Sequence, residues 1–180
     1  MTITLVTGGV RSGKSGFAEK LATEVSPSVL YVAFGVNIDQ EMEHRINKHQ
    51  LRRPKEWGLL EEPYDLFKGI NVYQSYDCIL VDSIETWVSN QCIQSSEEQL
   101  KNHEYPVAIL QETKEWIAKV SELNRSIIIV TSETGLGGVA MSPLGRFFQD
   151  VLGEVNQHIA EKADEVYAVM SGIPVRIKPC

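Results

Sequence analysis

A glycine-rich run near the amino terminus contains the residue types that bind phosphate. Residues 8 to 15 read Gly-Gly-Val-Arg-Ser-Gly-Lys-Ser and match the pattern GxxxxGK[ST] at every fixed position. The run follows a short apolar segment and opens a helical pattern, which is the context that such a loop requires. Lys14 would reach the β and γ oxygens and Ser15 would ligate Mg²⁺. The pattern predicts a nucleotide site formed by Gly8, Gly9, Val10, Arg11, Ser12, Gly13, Lys14 and Ser15.

A phosphate-binding loop needs a carboxylate beside its metal, and Asp82 is the first candidate. It closes the apolar run CILVD (78 to 82), as expected for the end of a buried strand next to the loop. Asp82 could instead cap the helix that starts near Ile84. The preceding apolar run favours the metal role, and Glu85 is a second carboxylate within reach.

A second group of chemical interest is the basic stretch from 39 to 57, DQEMEHRINKHQLRRPKEW. If it is helical, Arg45, His49 and Arg52 share one face, and Arg53 lies one turn after His49. Nearby cations disfavour a protonated imidazole, which leaves a neutral nucleophile, and they would stabilise phosphate charge beside it. A solvated basic helix with an incidental histidine is the alternative from these residues alone.

Alternating strands and helices must position these side chains. Short runs rich in β-branched residues predict buried parallel strands at 3–7, 28–33, 77–82 and 126–132. Helical spacing predicts helices over 14–25, 39–53, 84–94, 105–123 and 143–163. Residues 165–170 and 174–178 predict a hairpin at the sheet edge, and the polar segment 94–106 predicts a loop. The order is typical of an α/β domain with helices on both faces of a mostly parallel sheet.

Length and charge limit the remaining possibilities. The chain has 180 residues and a formal net charge of −7, so one domain over 1–180 is expected and a nucleic-acid partner is disfavoured. The apolar runs are too short for a membrane helix, and the amino terminus does not resemble a signal peptide. Three cysteines without a CxxC pair fit reduced thiols. We therefore expect a cytoplasmic protein without membrane insertion.

Several long blocks of this chain resemble one family, the bifunctional adenosylcobinamide kinase / adenosylcobinamide-phosphate guanylyltransferases of cobalamin biosynthesis. The similar blocks run almost end to end: TLVTGGVRSGKS, VLYVA, EMEHRINKHQLRRPKEW with EEP, ILVDSIETWVSN, IVTSETGLGG, GRFFQDVLGEVNQHIAEKADEVY and SGIPVRIK. The resemblance implies a P-loop NTPase domain with RecA-like strand order. It also implies a homo-oligomer, by analogy a homotrimer.

The resemblance further implies two reactions at one nucleotide site. ATP or GTP phosphorylates the aminopropanol hydroxyl of adenosylcobinamide. A histidine then attacks GTP and forms a guanylyl-enzyme intermediate, which passes GMP to adenosylcobinamide phosphate and gives adenosylcobinamide-GDP. The guanylylated histidine corresponds to His49, whereas His44, five residues earlier, does not occupy that place.

The resemblance also suggests which residues contact the nucleotide and the metal. Catalysis is assigned to His49 and Lys14, and Mg²⁺ to Ser15 and Asp82. Beyond the phosphate-binding loop, the implied nucleotide contacts are Ala33, Phe34, Gly35, Gln50, Leu51, Arg52, Arg53, Glu61, Glu62 and Asp82. The chain departs from the usual family pattern at Phe34, where a threonine is common, and within 131–143.

Two other functions are consistent with a phosphate-binding loop. A P-loop small-molecule kinase would use His49 only to bind phosphate and would form no covalent GMP. A nucleotide-responsive binding protein would bind GTP tightly with negligible turnover. The chain lacks the NKxD guanine reader of switch GTPases, and its one DxxG match, at 150–153, lies inside a helical pattern. These features argue against the binding protein, and the block around His49 argues against the simple kinase through resemblance.

Overall fold

A computed structural model gives the fold of the chain. The structure describes residues 2–35, 53–96, 98–99, 102 and 104–179. The helices, strands and contacts of the fold lie within these ranges.

The described residues form one seven-stranded sheet with the order β3-β2-β4-β5-β1-β6-β7. Every neighbouring pair is parallel except the antiparallel pair β6–β7. The strand β4 is separated from β1 by β5, which is the RecA-like order. The strands are β1 (Thr2–Gly8), β2 (Val29–Ala33), β3 (Gly58–Glu61), β4 (Cys78–Asp82), β5 (Ser126–Val130), β6 (Glu165–Met170) and β7 (Ile173–Lys178).

Helices cover both faces of this sheet, and each face has its own apolar cluster. The helices are α1 (Lys14–Val25), α2 (Ile70–Tyr73), α3 (Ile84–Gln94), α4 (Glu104–Ser121) and α5 (Pro143–Lys162). Alternate residues of the central strands enter opposite clusters: Ile79 packs with residues of α3, α4 and α5, whereas Leu80 packs with Ala18 and Ala22 of α1. Because both faces are buried, these strands are apolar at nearly every position.

Local sequence explains where the main helices begin. Helix α1 starts immediately after Gly13, whose positive φ of 96° suits a residue without a Cβ atom. Helix α5 starts after Ser142, whose hydroxyl accepts a hydrogen bond from the N–H of Gly145, and Pro143 occupies the first helical position. The first helix therefore begins at the phosphate-binding sequence, at the carboxyl end of β1.

The sequence-based prediction of the fold class is confirmed. The strands near 3–7, 28–33, 77–82 and 126–132 form, the carboxyl-terminal hairpin forms, and the DxxG match lies within α5. The short elements β3 and α2 were not predicted. The helix predicted over 39–53 lies outside the described residues except at Arg53. The loop predicted over 94–106 is wrong at both ends and at 98–99, because α3 extends to Gln94, residues 98 and 99 are helical, and α4 begins at Glu104.

Within the described ranges, no helix is both long and apolar enough to cross a bilayer.

Candidate active site

The phosphate-binding loop lies between the end of β1 and the start of α1, and neighbouring segments hold its backbone. The carbonyl of Gly8 accepts a hydrogen bond from the N–H of Glu133 at 3.2 Å, and the carbonyl of Ser12 accepts one from Gly172 at 2.7 Å. A Cβ atom on Gly8 would lie 2.5 Å from the carbonyl oxygen of Val169. The close approach of these backbones therefore requires glycine at position 8.

Ser15 and Asp82 meet at the end of the sheet, as their assignment to one metal requires. The Ser15 hydroxyl donates a hydrogen bond to Oδ1 of Asp82 at 3.2 Å. The Tyr31 hydroxyl, from the adjacent strand β2, donates to Oδ2 of the same carboxylate at 2.8 Å. Burial, reinforced by the Asp82 charge, raises the pKa of Tyr31, so the phenol keeps its proton and remains a donor. Tyr31 thus fixes the orientation of the Asp82 carboxylate.

Arg53 connects the basic stretch to this carboxylate. Its guanidinium carbon lies 3.3 Å from the centroid of the Tyr31 ring, so the cation stacks on the ring face. The Nε atom of Arg53 is buried and has no hydrogen-bond partner within the described part of the chain. A chain of contacts therefore links the Arg53 cation to Ser15: Arg53 stacks on Tyr31, and the Asp82 carboxylate accepts hydrogen bonds from both Tyr31 and Ser15.

Lys14 and Glu85 form the second charged pair of the site. The Lys14 Nζ atom lies 3.7 Å from Oε1 of Glu85, and the Ser132 hydroxyl donates to the same oxygen at 2.5 Å. Burial raises the pKa of the Glu85 carboxyl, while the Lys14 ammonium and the Ser132 hydroxyl oppose that shift. Phosphate oxygens of a bound nucleotide would therefore compete with Glu85 for the Lys14 ammonium.

A buried hydrogen-bond network holds the backbone of Ser132. The Thr131 hydroxyl donates to Oδ1 of Asn156 at 2.7 Å, and Nδ2 of Asn156 donates to the Ser132 carbonyl at 3.0 Å. All three residues are buried, so these hydrogen bonds satisfy groups that water cannot reach. The network fixes the end of β5 beside the phosphate-binding loop.

The other residues assigned near the second and third strands have different surroundings. Phe34 is only 1% exposed, and its carbonyl accepts a hydrogen bond from Nδ2 of Asn90 at 2.8 Å. Ala33 and Gly35 lie beside it at the same end of the sheet, and Glu61 is exposed at the end of β3. Any nucleotide contact at Phe34 would therefore involve its backbone rather than its ring.

Glu62 is buried and already has several partners. Its carboxylate pairs with the Lys68 ammonium at 2.5 Å and accepts hydrogen bonds from the N–H groups of Tyr64 and Asp65. The Lys68 hydrogen bond, with the two N–H groups, lowers the pKa of Glu62 against the opposing effect of burial. The carboxylate therefore stabilises the turn that follows β3.

A Glu62→Gln variant is expected to have a free energy of unfolding lower by about 1 kcal/mol at neutral pH, because the charged carboxylate is lost. The effect is modest because solvent partly screens the exposed Lys68. The folded-state pKa is lowered, so this contribution is present above the ordinary glutamate value of 4.5 and is lost as pH falls through the lowered pKa. Urea unfolding across pH 3 to 7 measures it. Glu61→Gln is the matched control. Equal stability of both variants at pH 7 would contradict this role.

Several assigned residues lie outside the described part of the chain. These are His49, Gln50, Leu51 and Arg52, whereas Arg53 is described. Sequence reasoning missed the contribution of Tyr31 and Ser132. A single tyrosine in the otherwise aliphatic run VLYVA was the available signal for Tyr31, but its partner on another strand could not be read from spacing.

The residues present fit a magnesium ion. The Ser15 hydroxyl and the Asp82 carboxylate supply oxygen ligands, which Mg²⁺ prefers, and they already lie within hydrogen-bond distance of each other at a helix start.

Taken together, the RecA-like sheet and the phosphate-binding loop with its nearby carboxylates define a P-loop NTPase. Residues 4–177 match a family described as cobinamide kinase / cobinamide phosphate guanyltransferase. The chain belongs to this family of bifunctional enzymes.

Individual relatives and a solved structure are also similar to the chain. It is 39% identical over 179 residues to the bifunctional adenosylcobalamin biosynthesis protein CobU of Salmonella typhimurium, covering 97% of this chain and 98% of that protein. It is 35% identical over 175 residues to the bifunctional adenosylcobalamin biosynthesis protein CobP of Pseudomonas aeruginosa, covering 97% and 96%. A crystal structure of a KaiC-like protein from Pyrococcus horikoshii OT3 aligns with a TM-score of 0.47 and 15% identity, covering 93% of this chain and 70% of that one.

Proposed function

We propose that this enzyme phosphorylates adenosylcobinamide with ATP or GTP and then transfers GMP from GTP to adenosylcobinamide phosphate through a guanylyl-histidine at His49. One observation carries the proposal: Arg53, which ends the block that contains His49, stacks on Tyr31, and Tyr31 is hydrogen-bonded to Asp82. This block and the phosphate-binding loop therefore meet at one end of the sheet. The proposal includes a single catalytic domain over 1–180 and a homo-oligomer, by analogy a trimer.

In the kinase step, the hydroxyl oxygen of adenosylcobinamide attacks the γ-phosphorus. The bond to the β,γ-bridging oxygen breaks, the nucleoside diphosphate leaves, and the hydroxyl proton is released. Lys14 and the N–H groups of residues 8 to 15 stabilise the charge on the phosphoryl oxygens. Ser15 and Asp82 would hold Mg²⁺, which would supply positive charge against the phosphates. Phosphoryl transfer needs little from the protein beyond such positioning and charge stabilisation.

In the transferase step, a neutral imidazole nitrogen of His49 attacks the α-phosphorus of GTP. A phosphorus–nitrogen bond forms and pyrophosphate leaves. A phosphate oxygen of adenosylcobinamide phosphate then attacks the same phosphorus, the phosphorus–nitrogen bond breaks, and the imidazole is restored. The arginines close to His49 in the sequence would favour the neutral imidazole and stabilise the incoming phosphate charge.

Chain connectivity supports a shared site for both steps. His49 precedes Arg53 by four residues, and four residues of chain reach at most about 14 Å in any conformation. Arg53 stacks on Tyr31, whose hydroxyl is bonded to the Asp82 carboxylate. Among the proposed nucleotide contacts, Ala33, Phe34 and Gly35 lie at or just after the carboxyl end of β2, and Glu61 and Glu62 at that of β3. The others precede or include Arg53 in the sequence: Gln50, Leu51, Arg52 and Arg53.

A Tyr31→Phe variant is expected to lower the rate of phosphoryl transfer about tenfold at low Mg²⁺, because a hydrogen bond to a charged group is lost. The phenyl ring can still stack under Arg53, so the change isolates the contact with Asp82. Initial rates across a Mg²⁺ titration measure the effect. The curve should shift to higher Mg²⁺, with smaller loss at saturation. Identical curves for variant and unaltered enzyme would contradict a role for Tyr31 in orienting Asp82.

Product analysis tests the proposal as a whole. Purified enzyme is incubated with adenosylcobinamide, Mg²⁺ and GTP. The corrinoids are then separated, and their masses are determined by mass spectrometry. We expect first a gain of one phosphate and then a gain of one GMP. Formation of the phosphate alone would support the simple-kinase alternative, and tight GTP binding with no product would support a nucleotide-responsive binding protein.

A further inference from the structure

The loop between β5 and α5 combines a fixed backbone with exposed apolar side chains. We call residues 134 to 142 the apolar loop. Leu136 is 82% exposed, Val139 is 80% exposed and Met141 is 94% exposed. Exposed apolar side chains are unremarkable when scattered, but a group of them on one short loop indicates a surface that something covers.

Two side chains of α5 brace the backbone of this loop. Nε2 of Gln149 donates hydrogen bonds to the carbonyls of Thr134 and Gly138, and its Oε1 atom accepts one from the N–H of Ala140. Arg146 donates to the carbonyl of Met141 at 2.8 Å. The polar backbone is therefore satisfied from the helix side, and the apolar side chains are presented outward.

The loop is continuous with the phosphate site. It starts immediately after Ser132, which bonds to Glu85, and Glu133, whose N–H donates to the Gly8 carbonyl of the phosphate-binding loop. Glu85 in turn lies 3.7 Å from the Lys14 ammonium. The apolar loop thus begins one residue after Glu133 and two after Ser132, which both contact residues of the phosphate site.

We propose that the apolar loop is the platform on which the corrin macrocycle of the acceptor rests during both reactions. This inference depends on the proposed function. A corrin ring is large and carries methyl groups and methylene-linked amides at its edge, so it would bury apolar area on Leu136, Val139 and Met141 while its hydroxyl-bearing arm reaches the phosphates. The flexible thioether of Met141 suits an irregular apolar surface. A second copy of this chain is the competing occupant.

A double variant, Leu136→Asn with Met141→Gln, tests this platform by replacing two apolar side chains with polar ones of similar length. Cobinamide binding is measured by equilibrium dialysis, through the visible absorbance of the corrin, with Mg²⁺ and a non-hydrolysable ATP analogue present. We expect about a tenfold or greater loss of cobinamide affinity, because apolar burial is removed. The KM for cobinamide should rise while kcat changes little. GTP affinity and the thermal midpoint of unfolding should stay unchanged. Ile177→Gln is the matched control, since Ile177 is 59% exposed on β7, near its carboxyl end.

Three results would separate the possible failures. Unchanged cobinamide affinity in the double variant would overturn the platform. A smaller assembly on gel filtration with unchanged cobinamide affinity would also overturn it and would assign the loop to a contact between subunits. If the unaltered enzyme binds and modifies no cobinamide, the proposed function fails and the platform fails with it.

Discussion

A Lys14→Ala variant is expected to lose about 100- to 1,000-fold in the rate of cobinamide phosphorylation, and a similar factor in guanylyl transfer. Lys14 is the cation that the phosphate-binding loop directs at the transferred group, so its loss removes charge stabilisation from the transition state. Initial rates at saturating nucleotide measure the effect. Because the same loop is proposed to hold the nucleotide in both reactions, both rates should fall together.

The control for this prediction must separate catalysis from folding. Lys14 also neutralises Glu85, whose carboxyl is buried, so the thermal unfolding midpoint of the variant has to be compared with that of the unaltered enzyme. Lys20→Ala is the matched variant, because Lys20 lies on the same helix and forms an exposed ion pair with Glu24. Retention of more than a tenth of the phosphorylation rate by a folded Lys14→Ala enzyme would contradict the assignment.

A His49→Ala variant is expected to separate the two activities. Phosphorylation needs only the phosphate-binding loop and its metal, so it should continue at near the normal rate. Guanylyl transfer needs the nucleophile, and removing a nucleophile lowers such rates by several orders of magnitude, about 10⁴-fold or more. Adenosylcobinamide phosphate should therefore accumulate, and corrinoid mass spectra over time measure it.

His44→Ala is the natural control for this experiment, since it removes the other histidine of the same block. It should form adenosylcobinamide-GDP as the unaltered enzyme does. If His44→Ala lost guanylyl transfer and His49→Ala retained it, the nucleophile would be His44 and the assignment to His49 would be wrong. Loss of both activities in His49→Ala would instead indicate that the residue serves binding or folding.

Much of the fold could be predicted from the sequence because the signals were local and strong. Runs such as CILVD and SIIIV are apolar at nearly every position, since helices cover both faces of the strands that they form. The strand β3 has only four residues with alternate exposure, and α2 spans one turn after a left-handed Gly69, so neither gave a periodic signal. These two elements form because of their tertiary neighbours rather than their own patterns.

The site could be predicted in part for the same reason. The residues of the phosphate-binding loop follow one another in sequence, and Asp82 ends an apolar run, so spacing alone located them. The supports of the site join residues that are distant in the chain: Tyr31 with Asp82, Ser132 with Glu85, and Asn90 with Phe34. Such contacts depend on the order of strands in the sheet, which no local pattern encodes.

The covalent intermediate is the central claim, and trapping it is the most direct test. The unaltered enzyme and His49→Ala are incubated with Mg²⁺ and GTP labelled in the α-phosphate, then denatured and separated from free nucleotide. We predict label that stays on the unaltered enzyme, is released by acid, and is absent from His49→Ala. The absence of label on both proteins under conditions where GTP binding is measured, or equal labelling of both, would contradict the guanylyl-histidine at His49.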